Sequence, residues 1–153
     1  PHRSFVAADA EEHKHFTLTK APQGDIWFSD PKGVATAGYG LCLSAIDMAK
    51  IGQLCLNGGA YEGKQIVSAR WLEDSTNPRN PNVEAFGGMG YGYLWWTPEA
   101  GRRAYAALGN SGNVIYIDPE ADAVVAVGGT FKPGILDRVS FIRSTIYPQM
   151  GIG

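Results

Sequence analysis

The chain has 153 residues, 44% hydrophobic and 18% charged, which is the size and composition of one globular domain with a sizeable core rather than of a disordered segment. Thirteen basic residues against fifteen acidic ones leave a formal charge of -2, with neither sign gathered into a run, so nucleic acid and anionic membranes are disfavoured as partners. Apolar stretches such as Ala123 to Val127 are far too short to span a bilayer, and no charged-then-apolar leader follows Pro1.

Opening on Pro1, the chain reads as part of something larger or as a processed product. Residues 1–26 mix charge, histidine and turn formers without periodicity, so they read as an irregular segment. A short helix is expected near Ala7 to His13, and Ala21-Pro22-Gln23-Gly24-Asp25 is a strong turn signal. His2, His13 and His15 all fall here. His13 and His15 beside Glu11 or Glu12 are chelating side chains, but the closed four-ligand spacing of a structural zinc site is missing, so no metal or other cofactor is expected.

Residues 27–153 read as one further unit. Trp27 to Gly40 is a glycine-rich approach, after which Ser44 caps a helix from about Ala45 to Asn57, with Asp47 placed three residues on as in a capping box. Met48, Ile51, Leu54 and Cys55 follow three-and-four spacing and make one apolar face, and Gly58-Gly59 supplies the left-handed stop. Cys42 and Cys55 belong to no Cys-x-x-Cys pair and read as small core residues. Tyr61 to Val67 is a tiny hairpin turning at Glu62-Gly63-Lys64. Ser68 then caps a second helix from about Ala69 to Thr76 that is expected to carry Trp71 and Leu72 inward, and Asn77-Pro78 ends it.

Pro78 to Gly90, rich in Asn, Pro and Gly, reads as a loop, either a plain surface connection or the border of a binding site. Four strands follow: Gly92 to Thr97, Arg103 to Leu108, Val114 to Ile117 and Ala123 to Gly129. Their short connections favour antiparallel neighbours, since parallel pairing needs a longer crossover. Ile135 to Tyr147 closes the chain as a helix with Ile135, Val139, Ile142 and Ile146 on one side. Helices, then a meander of strands, then a terminal helix predict an α+β fold with an antiparallel sheet packed against helices.

Several separated motifs carry a resemblance: Gly40 through Leu54, Leu56-Asn57-Gly58-Gly59, Gly63 through Ser68, Tyr91-Gly92-Tyr93-Leu94-Trp95-Trp96, and Ala107 through Glu120. In this order they resemble the C-terminal part of the class C-type serine β-lactamases, penicillin-binding proteins and D-alanyl-D-alanine carboxypeptidases, over roughly Trp27 to Met150. The resemblance implies a β-lactamase/transpeptidase-like fold and hydrolysis of a β-lactam, an ester or a peptidoglycan-like peptide through an acyl-serine. It also implies a bacterial periplasmic or extracellular setting. Such enzymes use a serine followed one turn later by lysine, a Tyr-x-Asn or Ser-x-Asn loop, and a Lys-Thr-Gly or His-x-Gly triplet on an inner strand.

The first two motifs belong to the family's N-terminal half, so the nucleophile is expected outside this chain. The triplet's place, after the strand ending at Leu108, holds Gly109-Asn110-Ser111-Gly112-Asn113. By the resemblance, Asn110, Ser111 and Gly112 stand for the triplet and the backbone N–H of Asn113 is the second oxyanion donor. Asn110 replaces the cation, which makes an esterase or peptidase-like variant as apt as a β-lactamase. An ordinary polar turn is the competing reading of these residues.

Three short matches imitate a complete site: Ser29-Asp30-Pro31-Lys32, Ser111-Gly112-Asn113 and Lys132-Pro133-Gly134. Asp-Pro and the following Gly33 favour a turn over the helix the first needs, and Pro133 denies the third a strand's hydrogen bond. Gly109-Asn110-Ser111-Gly112 is no nucleophile elbow either, for Asn113 stands in the fifth position and no histidine follows residue 15. Ala10 to Phe16 and Lys20 to Gly24 depart from the family's lead into this region. A sheet lacking the family's N-terminal strands predicts self-association or pairing with a complementary N-terminal chain. A non-catalytic binding or assembly module on the same scaffold is the alternative reading.

Overall fold

The computed structural model describes residues 3–6, 30, 32, 34, 41–109, 112–129 and 135–152, with residues 3–6 and 135–137 described by their backbone alone. Arg3–Val6 is a strand (β1), inside the segment that the sequence suggests is irregular. The helix expected near Ala7 to His13 lies outside the described residues.

Helix α1, Ala45–Leu56, begins and ends where its local signals put it. Ser44 Oγ accepts the Asp47 N–H at 3.1 Å and donates its proton to Asp47 Oδ2 at 2.7 Å. The Asp47 carboxyl is held below its ordinary value by hydrogen bonds from Lys50 and from Ser44. At the other end Gly59 N–H reaches Leu54 O at 2.8 Å and Gly58 N–H reaches Cys55 O at 3.1 Å, with Gly58 at φ 62°. That pair of bonds is a Schellman stop, and it satisfies carbonyls the helix leaves orphaned.

Ala60–Tyr61 (β2) and Lys64–Gln65 (β3) form the expected hairpin, with Glu62 and Gly63 both at positive φ as a two-residue turn of the right twist requires. Helix α2, Ala69–Thr76, is capped by Ser68 Oγ accepting the Trp71 N–H at 3.1 Å. Trp71 does not turn inward. It is 53% exposed and stacks on Tyr93 with ring centroids 5.7 Å apart, while Leu72 is half-buried.

The stretch expected to be a loop after Pro78 is partly strand. Asn80–Val83 (β4) pairs with Met89–Tyr91 (β5) through a register shift, with a short 3-10 turn at Glu84–Phe86 between them. Trp96–Thr97 (β6) follows, so the strand expected at Gly92 to Thr97 is cut by a hairpin tip. Gly92 N–H bonds Trp95 O at 2.8 Å, and Leu94 sits at φ 65°. Tyr105–Leu108 (β7), Val114–Asp118 (β8) and Ala123–Val127 (β9) then match the remaining expected strands closely.

These strands make one sheet in the order β1-β9-β8-β7-β6-β5-β4, antiparallel throughout except that β1 lies parallel to β9. Every residue of β8 is buried because helices cover both faces. Val114, Tyr116 and Val125 pack with Val139, Ile142 and Ile146, whereas Ile115, Ile117, Val124 and Ala126 pack with Met48 and Cys55 of α1. Burial alone raises the Cys55 thiol to about 11, so it is an inert core group.

The terminal helix starts as α3, Ile135–Phe141, widens into a π turn over Ile142–Ile146, and ends with Tyr147–Gln149. Pro148 explains the widening: a proline ring collides with the carbonyl four residues back, and an i-to-i+5 turn, here Tyr147 N–H to Ile142 O, makes room for it. The result is the α+β architecture expected from the sequence, helices on both faces of a mainly antiparallel sheet.

Candidate functional site

The β7–β8 connection holds the candidate residues. Tyr105 to Leu108 pairs in register with Val114 to Ile117, and the ladder closes on Gly109, whose N–H donates to Asn113 O at 2.8 Å. Gly112 N–H in turn donates to Gly109 O at 3.2 Å, and Gly112 takes φ 107°. This is the bonding of a hairpin loop ending in a left-handed bulge residue, a conformation that glycine adopts without strain. Gly112 is buried and Asn113 is exposed. Asn110 and Ser111 lie outside the described residues.

Two clamps hold this turn from outside its own hairpin. Asn113 Oδ1 accepts the N–H of Gly129, just beyond β9, at 3.2 Å. Arg138, in α3, donates from Nη1 to Gly109 O at 2.8 Å while being only 6% exposed. Sequence reading missed Arg138, although a signal was present: it stands beside Val139 and four residues before Ile142, on the apolar side of the helix, where a charge demands a partner.

A second polar cluster lies at the opposite end of β8. Asp118, fully buried, accepts from Tyr147 Oη at 2.6 Å and from Arg102 Nε and Nη2 at 3.0 and 2.5 Å, and its other oxygen accepts the N–H groups of Glu120 and Ala121. Burial alone would raise this carboxyl. The bonds from Tyr147, Arg102 and Ala121 outweigh it and hold the carboxyl below its ordinary range. Beside it Glu99 Oε1 accepts from Tyr116 Oη at 3.1 Å and from Arg143, and burial pushes the Tyr116 phenol up to about 12. With every Asp118 oxygen used and Arg143 over the Tyr147 ring, this cluster fastens the terminal helix to the sheet.

Of the imitative motifs, Lys32 sits in a turn: Asp30 Oδ1 accepts the N–H groups of Lys32 and Val34 at 2.8 and 2.9 Å, an arrangement foreign to a helical Ser-x-x-Lys. Ser29, Lys132, Pro133, Gly134 and the three histidines lie outside the described residues. Among the described residues, no three His, Cys, Asp or Glu side chains gather as metal ligands, and no helix is long and apolar enough to cross a membrane.

No family model matches the chain. A curated relative, the 6-aminohexanoate-dimer hydrolase of Paenarthrobacter ureafaciens, is 28% identical over 103 residues, covering 63% of this chain and 26% of that protein. Among solved structures, a putative 6-aminohexanoate-dimer hydrolase from Bacillus anthracis is similar with a TM-score of 0.63 and 30% identity, over 81% of this chain and 32% of that one. The chain therefore spans about a quarter of the length of the curated relative and about a third of the solved one. At this distance the likeness supports the β-lactamase/transpeptidase-like serine hydrolase superfamily and its fold.

Proposed function

We propose that this chain is the C-terminal part of a β-lactamase-related serine hydrolase that cleaves an amide or ester through an acyl-serine, and that it does not acylate alone. The single observation carrying this reading is the clamped β7–β8 turn, which stands where the resemblance puts the family's third active-site triplet. In this reading the backbone N–H of Asn113 is the second donor to the oxyanion of the tetrahedral intermediate. Such a donor works because it is fixed before charge develops.

The nucleophile and its lysine come from a portion outside this chain. The partial coverage of both relatives is in keeping with that, since each is roughly three to four times longer than the matched segment. Asn110 in the triplet's first position favours a substrate that needs no cation there, and with two relatives named as 6-aminohexanoate-dimer hydrolases, an amide or an ester ranks before a β-lactam.

A fluorogenic ester and a labelled penicillin test the reading. The expected result is no covalent labelling of this chain alone, and turnover or labelling once a Ser-x-x-Lys-bearing N-terminal portion is added. Labelling of this chain alone, with loss of the label in Ser111→Ala or Ser29→Ala, would overturn it. Silence in both conditions would favour the binding or assembly module.

A further inference from the structure

Arg138 is a charged side chain buried on the core stripe of a helix whose neighbouring stripe residues are Val139, Ile142 and Ile146. Holding a guanidinium there costs far more than an aliphatic residue unless the charge is well partnered. The partner recorded at its Nη1 is a backbone carbonyl, Gly109 O at 2.8 Å, in the candidate turn.

Gly109 is the residue on which that turn closes. Its carbonyl accepts the Gly112 N–H and its N–H donates to the Asn113 carbonyl, so both residues of the Gly112–Asn113 peptide are bonded to it. A peptide unit is planar and rigid, and anchoring the peptide units on either side of it narrows the directions its N–H can take. Asn113 is held from the other side as well, through the bond its Oδ1 accepts from Gly129. The loop is therefore bolted to α3 at Gly109 and to the end of β9 at Asn113.

We propose that Arg138 is a positioning residue: through Gly109 it sets the Gly112–Asn113 peptide so that the Asn113 N–H is aimed at a developing oxyanion. This rests on the reading of the turn as the oxyanion side of a serine hydrolase site. In this role Arg138 acts through the Gly109 carbonyl and not on a reacting atom.

Amide hydrogen exchange on this chain, comparing R138Q and R138K with I142V, separates the proposal from a plain loss of stability. Ile142 is a core residue of the same terminal helix, in the π turn that follows α3, so I142V serves as a stability control once melting temperatures are compared. R138Q is expected to speed exchange at the bonded turn amides of Gly109 and Gly112 about tenfold relative to I142V, because an anchored turn opens locally when its anchor is removed, while the α1 amides stay at control rates. R138K, which keeps the charge and a donor group without the guanidinium's planar fork, is expected to fall between, and it carries the test if R138Q fails to fold. Turn amides that exchange no faster than in I142V overturn the positioning role.

Ester turnover with the Ser-x-x-Lys-bearing portion present is the second readout. A displaced oxyanion donor lowers kcat about tenfold or more with KM unchanged, since such a donor acts in the transition state. Faster exchange with kcat unchanged would instead overturn the catalytic reading of the turn and leave Arg138 as a structural anchor.

Discussion

Asp118 is a carboxylate with no access to water, and it persists because each oxygen has partners. Removing the Tyr147 hydroxyl leaves Arg102 and the Glu120 and Ala121 amides in place but takes away a 2.6 Å bond to a charged acceptor. Bonds to charged groups contribute about 2 kcal/mol, so Tyr147→Phe should lower unfolding stability by about that amount at pH 7 in urea titrations. The pH dependence has a definite sign. The folded carboxyl is held below its ordinary 3.8, so its contribution is complete above that value and is lost as pH falls through the lower folded one. Tyr147→Phe lessens the depression, hence the gap between variant and parent should be widest near neutrality and narrow as pH falls below the ordinary carboxylate value. A gap constant with pH would mean that the phenol acts by packing and not through the carboxylate.

Helix α1 shows the same economy at the level of an element. Gly52 lies mid-helix, where glycine is worse than alanine by about 1 kcal/mol. It is there because the helix rides so close to the sheet that a Cβ would stand 2.4 Å from Val124 Cγ1 and 3.1 Å from Ile115 Cγ2. Overpacking of this kind costs about 1–3 kcal/mol, which offsets the gain in propensity. Gly52→Ala should therefore lower the melting temperature by about 2–4 °C rather than raise it, measured by calorimetry or circular dichroism. A rise would mean that Val124 yields at little cost. The ends of α1 were legible in sequence because cap and stop are local chemistry, Ser44 with Asp47 at one end and Gly58-Gly59 at the other. The direction of Trp71 was not legible, because spacing defines a face without saying what packs on it, and Trp71 stays more than half exposed with one face stacked on Tyr93 of a hairpin tip. Strand β4 was invisible for a related reason. Asn80-Pro81-Asn82 has no strand propensity, and pairing with β5 imposes the conformation, with Pro81 tolerated because the strand is a sheet edge.

For the whole molecule, element order and short connections were enough to give the antiparallel meander and its covering helices, but not the parallel seat of β1 on β9, which joins residues over a hundred positions apart. The candidate turn was located through the resemblance, whereas its clamps at Arg138 and Gly129 arise only once α3 and β9 converge on it. The same assembly leaves apolar surface without cover: Ile46, Trp71 and Leu94 are each more than half exposed. At the β4 edge, Pro81 removes a donor and blunts strand-to-strand addition, so association through side chains is favoured over sheet extension. Under the proposed function these groups are what the missing portion of the hydrolase would cover. In light scattering at micromolar concentration the chain alone should then self-associate, and adding the Ser-x-x-Lys-bearing portion should replace the mixture with one complex of summed mass. A monodisperse monomer indifferent to that portion would count against both the association and the split-domain reading, because a surface that stays single in water needs no partner to bury it.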